Sequence, residues 1–225
     1  MKADLHTHTI YSKDSLTRPA DLVAACVRRG VDVLAVTDHN AIAGALDACA
    51  VAERLRAAGQ PAPLVIVGEE VMTTAGEIIG LFLSELIPRG LSPQETIQRI
   101  RDQGGFVTVP HPFDRLRRGS TTAQALEVIW PLVDAIETRN ARTTFASDNA
   151  RARAFAVEHG LLQTAGSDAH SLGEVGRCFV DLPAFDGVEG FRQALAQGVI
   201  GGRPSSPLVH LHSTYAKLRK RLAGT

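Results

Sequence analysis

Short runs of aliphatic residues alternate along the chain with longer stretches that have the composition of helices. The runs place Val, Ile, Leu and Ala on consecutive positions, which is typical of strands buried on both faces of a parallel sheet. They cover residues 33–36, 64–67, 106–109, 133–136 and 161–165, and helices are predicted over 19–29, 41–58, 92–104, 145–159 and 188–197. This α/β alternation predicts parallel βαβ units that form a small β/α barrel.

Two of the predicted helices carry recognisable residues at their ends. Pro19 stands at the start of the first helix and Gly30 follows its last residue, as helix termini prefer. Ser92 and Glu95 have the spacing of a capping box, in which each side chain accepts a hydrogen bond from the backbone of the other residue. These residues predict where the two helices begin and where the first one ends.

The length of the chain favours one domain with a substantial core. It has 225 residues, and neither a linker nor a low-complexity segment interrupts it. We predict a barrel over roughly residues 1–204 and a C-terminal helical tail over 205–225 that packs on it. The first predicted strand begins directly after Met1, so we expect no signal peptide. No apolar run has the length of a membrane helix.

Cysteine usage and charge narrow the class of protein further. The three cysteines form no CxxC pair, which indicates core thiols in a reduced, cytoplasmic protein. The 24 basic and 24 acidic residues balance, which excludes a global field that recruits nucleic acid. Any anion must therefore be bound by local arginines.

Many of the predicted strands end in residue types that bind metal ions. His6 and His8 follow a short apolar strand, and residues i and i+2 of a strand point to the same side. Other His, Asp and Glu residues follow later strands, where barrel active sites are built. The candidate ligands are His6, His8, Asp14, His39, Glu70, Glu77, His111, Asp168 and His170.

All candidate ligands are imidazoles or carboxylates. This set suits Zn, Mn or Fe at a hydrolytic centre rather than a structural zinc site. Because a catalytic zinc ion takes about three protein ligands, nine side chains indicate two or three divalent ions with bridging carboxylates. A water between such ions is acidified toward hydroxide and becomes a nucleophile, while the ions can offset negative charge that develops on a substrate.

Six motifs together resemble those of PHP-domain proteins, a family named for polymerase and histidinol phosphatase. The motifs are DLHTHT at 4–9, SKD at 12–14, TDHN at 37–40, GEE at 68–70, PHP at 110–112 and GSDAH at 166–170. They span most of the chain in the family's order, and the chain is most similar to the small stand-alone phosphoesterases. The resemblance implies a single domain with a distorted (β/α)7 barrel and a bi- or trinuclear metal centre.

The resemblance also divides the ligands among the ions. It implies a first ion on His6, His8, Glu70 and Asp168, a second that shares Glu70 and adds His111, and a third on Asp14, His39 and His170. At two positions, Asp14 and Glu77, many relatives have histidine. A carboxylate at position 77 can still bind a metal and would favour harder ions such as Mn. The alternatives are that Glu77 faces solvent and that Glu69 replaces Glu70.

Arginines are expected to hold the substrate phosphate, because their planar fork matches two oxygens. Arg177 is the best candidate, since it lies in a glycine-flanked loop just beyond the GSDAH motif. The other candidates near motifs are Arg115, Arg117, Arg118, Arg139 and Arg142, with Asn140 as a polar contact.

A few further residues leave two interpretations open. Asp38 either orients a ligand histidine by accepting its hydrogen bond or caps the next helix. Tyr11 either packs in the core or stacks on a substrate base. We predict structural roles for His210 and His212. The basic run at 217–221 predicts a solvated helix face, with RNA contact as the alternative.

Together these features predict a phosphoesterase in which His6, His8, Glu70 and Asp168 hold a metal-bound hydroxide. The expected substrate is a small phosphorylated molecule, namely a nucleotide or an oligonucleotide end, and no membrane is involved. Histidinol phosphate is the alternative substrate. A structural or regulatory PHP module with little turnover is the alternative of another class, although the full ligand set argues against it. Amidohydrolase chemistry shares the HxH opening but usually needs a bridging lysine, and no lysine stands at a strand end.

Overall fold

The computed structural model describes residues 1–117 and 119–223. Its strands are β1 (Lys2–Asp4), β2 (Val33–Val36), β3 (Leu64–Thr73), β4 (Gly76–Leu81), β5 (Phe106–Val109), β6 (Ala135–Asn140), β7 (Leu162–Gly166), β8 (Cys178–Asp181) and β9 (Val199–Gly202). Its helices are α1 (Pro19–Arg29), α2 (Ala43–Ala57), α3 (Pro93–Asp102), α4 (Ala123–Ile129), α5 (Ala146–Glu158), α6 (Gly187–Ala196) and α7 (Val209–Ala223), and a short 3-10 helix (Trp130–Leu132) follows α4. All five predicted helices are present.

The strands form one sheet in the order β7-β6-β5-β4-β3-β2-β1-β8-β9. Backbone hydrogen bonds of residues just after β1 join this strand to β7 and to the segment that follows β7. Leu5 N donates to Ala165 O at 3.3 Å, and Asp168 N donates to His6 O at 2.7 Å. The first seven strands therefore form a distorted, nearly closed barrel, and the β8–β9 hairpin extends the sheet outside this ring.

Three strands depart from the predicted parallel βαβ pattern. β4 pairs antiparallel with β3 and β5, and β8 and β9 also pair antiparallel with their neighbours. Only Thr74 and Ala75 separate β3 from β4, and so short a connection allows only a hairpin, because parallel strands need a crossover of about a dozen residues. The hairpin places Glu77, at the start of β4, at the same barrel end as the carboxyl ends of the parallel strands.

The barrel interior is apolar, and helix α6 closes it. Leu5, Ile66 and Phe106 are buried there together with Phe191 of α6. The rings of Phe106 and Phe191 meet edge-on, with centroids 5.1 Å apart. Full burial of a side chain of this size contributes about 1.5–3 kcal/mol, so the core holds the strand ends in fixed relative positions.

The predicted helix ends are confirmed. Ser92 Oγ accepts a hydrogen bond from Glu95 N at 3.2 Å, and Glu95 Oε2 accepts one from Ser92 N at 3.0 Å. α1 begins at Pro19 and is followed by Gly30, whose φ of 61° suits glycine. Helix α4, which has only seven residues, was not predicted.

Helix α7 contacts the barrel through polar groups. Arg142 Nη2 donates to Val209 O at 3.0 Å and to Ser213 Oγ at 2.7 Å. Lys220 Nζ donates to Ser12 O at 2.6 Å. The division into a barrel and a tail at residue 204 stays a prediction. Within residues 1–117 and 119–223, no helix combines the length and hydrophobicity needed to cross a membrane.

Candidate metal centre

The nine predicted ligands converge at one end of the barrel, although they come from one loop and from six strands or the segments directly after them. The carboxyl ends of neighbouring parallel strands meet at the same end of a barrel. Short backbone bridges join Thr7 to Ala169 and His39 to Glu70 just there. Eight of the nine ligands are at most 5% exposed, and His39 is partly buried.

Glu70 lies at the middle of the cluster. Its Oε2 is 2.9 Å from His39 Nδ1 and 3.5 Å from the Nε2 atoms of both His6 and His8. Its Oε1 is 3.1 Å from His111 Nε2. One carboxylate thus touches four imidazoles, as expected for a group that bridges two ions.

The neighbouring Glu69 points away from the cluster. Its Oε2 accepts a hydrogen bond from Ile87 N at 2.8 Å. Successive side chains of a strand face opposite sides, so β3 can present only one of the two glutamates to the centre. The structure places Glu70 there, as the resemblance implied.

The other carboxylates lie beside Glu70 on both sides. Asp168 Oδ1 is 3.2 Å from His8 Nε2 and 3.7 Å from His6 Nε2. Asp14 Oδ1 is 3.3 Å from His170 Nε2 and 3.6 Å from His39 Nε2. These neighbours match the ligand sets that the resemblance implies for the first and third ions.

Glu77 also points into the centre. Its Oε1 is 3.8 Å from His39 Nδ1, and its Oε2 is 3.9 Å from His111 Nε2. The side chain is buried, which does not agree with the alternative in which it faces solvent. His39, Glu70 and Glu77 offer three ligand atoms within 4.8 Å of one another. Its role as a ligand stays a prediction.

The hydrogen bonding of the cluster is incomplete without a cation. Asp14 Oδ1, Glu70 Oε2 and Asp168 Oδ1 are buried, and none of them accepts a hydrogen bond within the described residues. A buried acceptor without a partner costs about 1–3 kcal/mol. All three atoms point toward imidazole nitrogens at the point where the strands meet, and this donor set fits divalent metal ions.

Comparisons with known proteins agree with this geometry. The model of the PHP-associated family matches residues 146–200. The chain is 43% identical over 123 residues to the uncharacterized protein MJ1587 of Methanocaldococcus jannaschii, covering 50% of this chain and 68% of that protein. It is 36% identical over 183 residues to the uncharacterized protein MJ0417 of the same organism, covering 80% of this chain and 70% of that protein.

Solved structures share the fold. One is a two-domain protein from Bacteroides vulgatus containing a predicted PHP-like metal-dependent phosphoesterase, with a TM-score of 0.71 and 20% identity over 90% of this chain. This chain spans 65% of that protein. The chain belongs to the PHP family. The distorted (β/α)7 barrel predicted for this PHP protein is confirmed.

A second solved structure with a similar fold is an amidohydrolase from Chromobacterium violaceum, solved with sulfate. It has a TM-score of 0.64 and 19% identity, and the match covers 92% of this chain and 99% of the amidohydrolase chain.

Outer hydrogen bonds orient the imidazoles of this PHP centre. The Nδ1 atom of His6 is 3.1 Å from Glu137 Oε1, that of His8 is 3.1 Å from Ser12 Oγ, and that of His170 is 2.8 Å from Asp168 O. In each case Nε2 is left to face the centre. Such outer partners fix the ring orientation and raise the basicity of the ligating nitrogen.

Glu137 belongs to the centre, although it was not among the predicted site residues. Its Oε2 accepts hydrogen bonds from His111 N at 2.9 Å and from Asn140 Nδ2 at 3.0 Å, and its Oε1 contacts His6. The residue follows the aliphatic run at 133–136. That position at a strand end was the only sequence feature that could have identified it.

Neither interpretation of Asp38 agrees with the structure. It accepts hydrogen bonds from Thr9 N at 2.7 Å and Ser12 Oγ at 2.6 Å, so it reaches His8 only through the Ser12 hydroxyl. The residue before α2 is Ile42, and no side chain caps that helix. Asp38 therefore orders the loop that carries the second ligand histidine.

The charges of the cluster shift the pKa values of its histidines in opposite directions. Burial acts to lower the pKa of His6, but Asp168 and Glu137 raise it well above the usual value. In the same way Glu70 overcomes burial and raises the pKa of His39 to about 9. Burial and the charge of His170 hold the pKa of His8 well below normal. Since a metal ion competes with protons for an imidazole nitrogen, the raised pKa values of His6 and His39 act against metal binding.

Gly166 allows the close approach of β7 to His6. A Cβ atom at position 166 would lie 2.3 Å from His6 Cβ and 2.8 Å from His6 N. Gly166→Ala is therefore expected to displace His6 and to weaken Mn binding by about 10- to 100-fold, as measured by isothermal titration. Gly173→Ala is the matched control, because its Cβ would meet only Ser171 Oγ at 4.0 Å. Equal Mn affinity in the two variants would contradict this account.

Three of the arginines predicted to bind the phosphate have partners outside the ligand cluster. Arg177 Nη1 donates to Pro204 O, Arg139 Nη2 donates to Gly202 O, and Arg115 pairs with Asp148. These partners hold the three guanidinium groups away from the ligand cluster. Arg118 lies outside the described residues.

Two other arginines reach the centre. Arg117 donates to Asp168 Oδ2, and its Nη1 is 3.1 Å from His111 Nε2. Arg142 Nη1 is 2.6 Å from His170 Nδ1, and its Nε is 3.1 Å from Glu174. Arg117 lies in the loop after His111, where the sequence suggested it but did not favour it. Asn140 Nδ2 donates to Asp168 Oδ2 at 3.1 Å and so supports a ligand.

Two cavities meet at the centre. The first, of about 630 Å³, is lined by Asp14, His39, Glu77, Arg117, Arg142 and His170 and by His210 and Lys217 of α7. His210 thus faces the cavity, whereas a structural role was predicted for it, and His212 is exposed.

The second cavity, which we call the basic groove, has a volume of about 850 Å³ and shares Lys13 and His39 with the first. Its lining includes Tyr11, Lys13, Arg18, Arg89, Arg219 and Lys220. No acidic side chain of the described residues lines it. Tyr11 is exposed there rather than packed in the core.

Proposed function

We propose that this PHP protein is a metal-dependent phosphoesterase. The observation that carries the proposal is the convergence of buried imidazoles on oxygens of Asp14, Glu70 and Asp168 that accept no hydrogen bond within the described residues, beside a guanidinium group. Two or three divalent ions, of which Mn, Zn and Fe suit these ligands, would acidify a water and offset charge on a phosphate when bound.

Arg117 would position the phosphate of the substrate, and the ligand residues would position the metal ion and its water. Arg117 lies at the wall of the first cavity with its guanidinium group between Asp168 and His111. Its planar fork suits two phosphate oxygens. His6, His8, Glu70 and Asp168 would hold the ion that carries the attacking water, and Glu137 and Ser12 would fix the orientation of the two histidines.

The basic groove supports a nucleotide or an oligonucleotide end as the substrate. It opens at His39 and carries cations in its lining without any described carboxylate. Additional phosphates of the substrate would bind the cationic side chains of the groove, and a nucleotide base would stack on the ring of Tyr11. Histidinol phosphate carries an amino group that is cationic at neutral pH, which the groove would repel.

A substrate screen with added Mn tests the proposal. We expect mononucleotides and short oligonucleotides to have higher kcat/KM values than histidinol phosphate. A preference for histidinol phosphate would contradict the substrate class. Absence of phosphate release from every ester, or hydrolysis of C–N bonds alone, would contradict phosphoesterase function and favour a structural module or an amidohydrolase.

Arg117→Ala is expected to lower kcat/KM for a small phosphomonoester by about 10- to 100-fold, since a hydrogen bond to a charged group contributes about 1.5–3 kcal/mol. Steady-state kinetics would measure the loss. Arg177→Ala is the matched control, because this arginine donates to Pro204 O and does not line the first cavity. A larger effect at Arg177 than at Arg117 would contradict the assignment.

A further inference from the structure

Helix α7 presents its most apolar face to solvent. Leu208 precedes the helix, and four further large apolar residues follow at alternating spacings of three and four. We call these five residues the leucine seam: Leu208, Leu211, Tyr215, Leu218 and Leu222. Each is between 57% and 81% exposed. A surface helix normally buries its apolar face, so the orientation of α7 is opposite to the usual one.

Polar contacts fix this orientation. The buried side of α7 carries the small residues Ser213 and Ala216. Arg142 donates to Ser213, Lys220 donates to the carbonyl of Ser12, and Lys217 Nζ is 3.2 Å from Asp14 Oδ2. Rotating the helix to bury the seam would break all of these contacts. The seam is therefore available to another molecule.

The width of the seam indicates a helical partner. Its spacing gives two apolar residues per seven, which is the pattern of a coiled-coil interface. A helix that lies in a membrane surface has a broader apolar face. A partner helix would pack side chains between those of the seam over a length of about 22 Å, the length of 15 residues of α-helix.

The charges beside the seam indicate the chemistry of that partner. Residues 205–225 contain no Asp or Glu. His212, Arg219 and Arg221 lie next to the seam at the positions that form ion pairs between helices of a coiled coil, and all three are exposed. A second copy of α7 would set cations against cations, whereas an acidic helix would pair with them.

We propose that the leucine seam binds an amphipathic α-helix of a partner protein whose apolar face is flanked by Asp and Glu. This interaction surface is separate from the proposed phosphoesterase reaction. The five seam residues line neither cavity of the centre, and of the charges beside the seam only Arg219 also lines the basic groove within the described residues.

Titration of a fluorescent synthetic peptide into the full chain tests this proposal. The peptide has about four heptads, with leucine at the first and fourth positions and glutamate at the fifth and seventh. We expect saturable binding that Leu211→Glu with Leu218→Glu weakens by at least about tenfold. The matched control is Leu86→Glu with Val157→Glu, which removes two exposed apolar side chains elsewhere and should leave binding unchanged.

Reversing the charges beside the seam tests separately whether the partner helix carries acidic residues. Arg219→Glu with Arg221→Glu should reverse the preference, so that the same peptide with lysine in place of glutamate binds better. Circular dichroism verifies that each variant is folded. The proposal is overturned if neither peptide binds the wild-type chain or if both bind equally well. It is also overturned if the seam mediates a homodimer in sedimentation experiments, or if the chain binds phosphatidylserine vesicles but not the acidic peptide.

Discussion

Replacing Glu70 with glutamine is expected to lower kcat/KM for phosphate-ester hydrolysis by about a thousandfold or more, which corresponds to about 4 kcal/mol. The glutamine side chain keeps the size of the glutamate but loses its charge. Glu70 touches His6, His8, His39 and His111, so it would hold the first and second proposed ions and contacts His39, a proposed ligand of the third. Steady-state kinetics with added Mn would measure the loss, and elemental analysis would show a lower metal content.

The adjacent glutamate provides the control. Burial raises the pKa of Glu69 to about 7, so this side chain is already partly protonated near neutral pH. In Glu69→Gln the amide oxygen can still accept the hydrogen bond from Ile87 N. The variant should therefore keep the metal content and activity of the wild-type chain. A Glu70→Gln protein that retained both would refute the proposed centre.

Removing the metal is expected to lower the free energy of unfolding by about 2.7 kcal/mol for each ion whose free concentration is 100 times its Kd. For two ions the loss would be about 5 kcal/mol. At about 2–4 °C per kcal/mol for a chain of this size, the melting temperature should fall by about 10–20 °C. The physical reason is that the buried oxygens of Asp14, Glu70 and Asp168 lose their cations.

Calorimetry with added Mn and after exhaustive chelation measures this difference. In Glu70→Gln the difference should be much smaller than in the wild-type chain, and in Glu69→Gln it should be unchanged. A melting temperature that does not respond to Mn, in protein shown by elemental analysis to have been metal-free, would contradict a metal centre built from these residues.

The sequence predicted those features that depend on residues close together in the chain, and those that follow from the meeting of strand ends in a parallel barrel. The capping box at Ser92 and the ends of α1 follow from local hydrogen bonding and backbone preference, and both were predicted. The convergence of the candidate ligands at one end of the barrel could be predicted as well, because the carboxyl ends of parallel barrel strands meet at one place and most candidates follow an aliphatic run. Glu137 follows the aliphatic run at 133–136 and so obeys the same rule, but it lies outside the six motifs and was not predicted.

Other features depend on contacts between distant segments, and only the tertiary structure decided them. Arg117 and Arg177 both follow ligand motifs, and which of them reaches the centre depends on the path of each loop and on the acceptor it meets there. The hairpin that brings Glu77 to the ligand end likewise reflects the pairing of β4 with β3 and β5.

The orientation of helix α7 could not be predicted from its sequence pattern. Its amphipathic pattern by itself favours burial of the leucine seam, since apolar surface is expelled from water. The structure instead buries Ser213 and Ala216, because Arg142, Lys217 and Lys220 bind groups of the barrel and the helix. The sequence by itself determined where most strands and helices form and which His, Asp and Glu side chains are candidate metal ligands. The tertiary structure decided which long polar side chains meet, because their partners are set by the path of the whole chain.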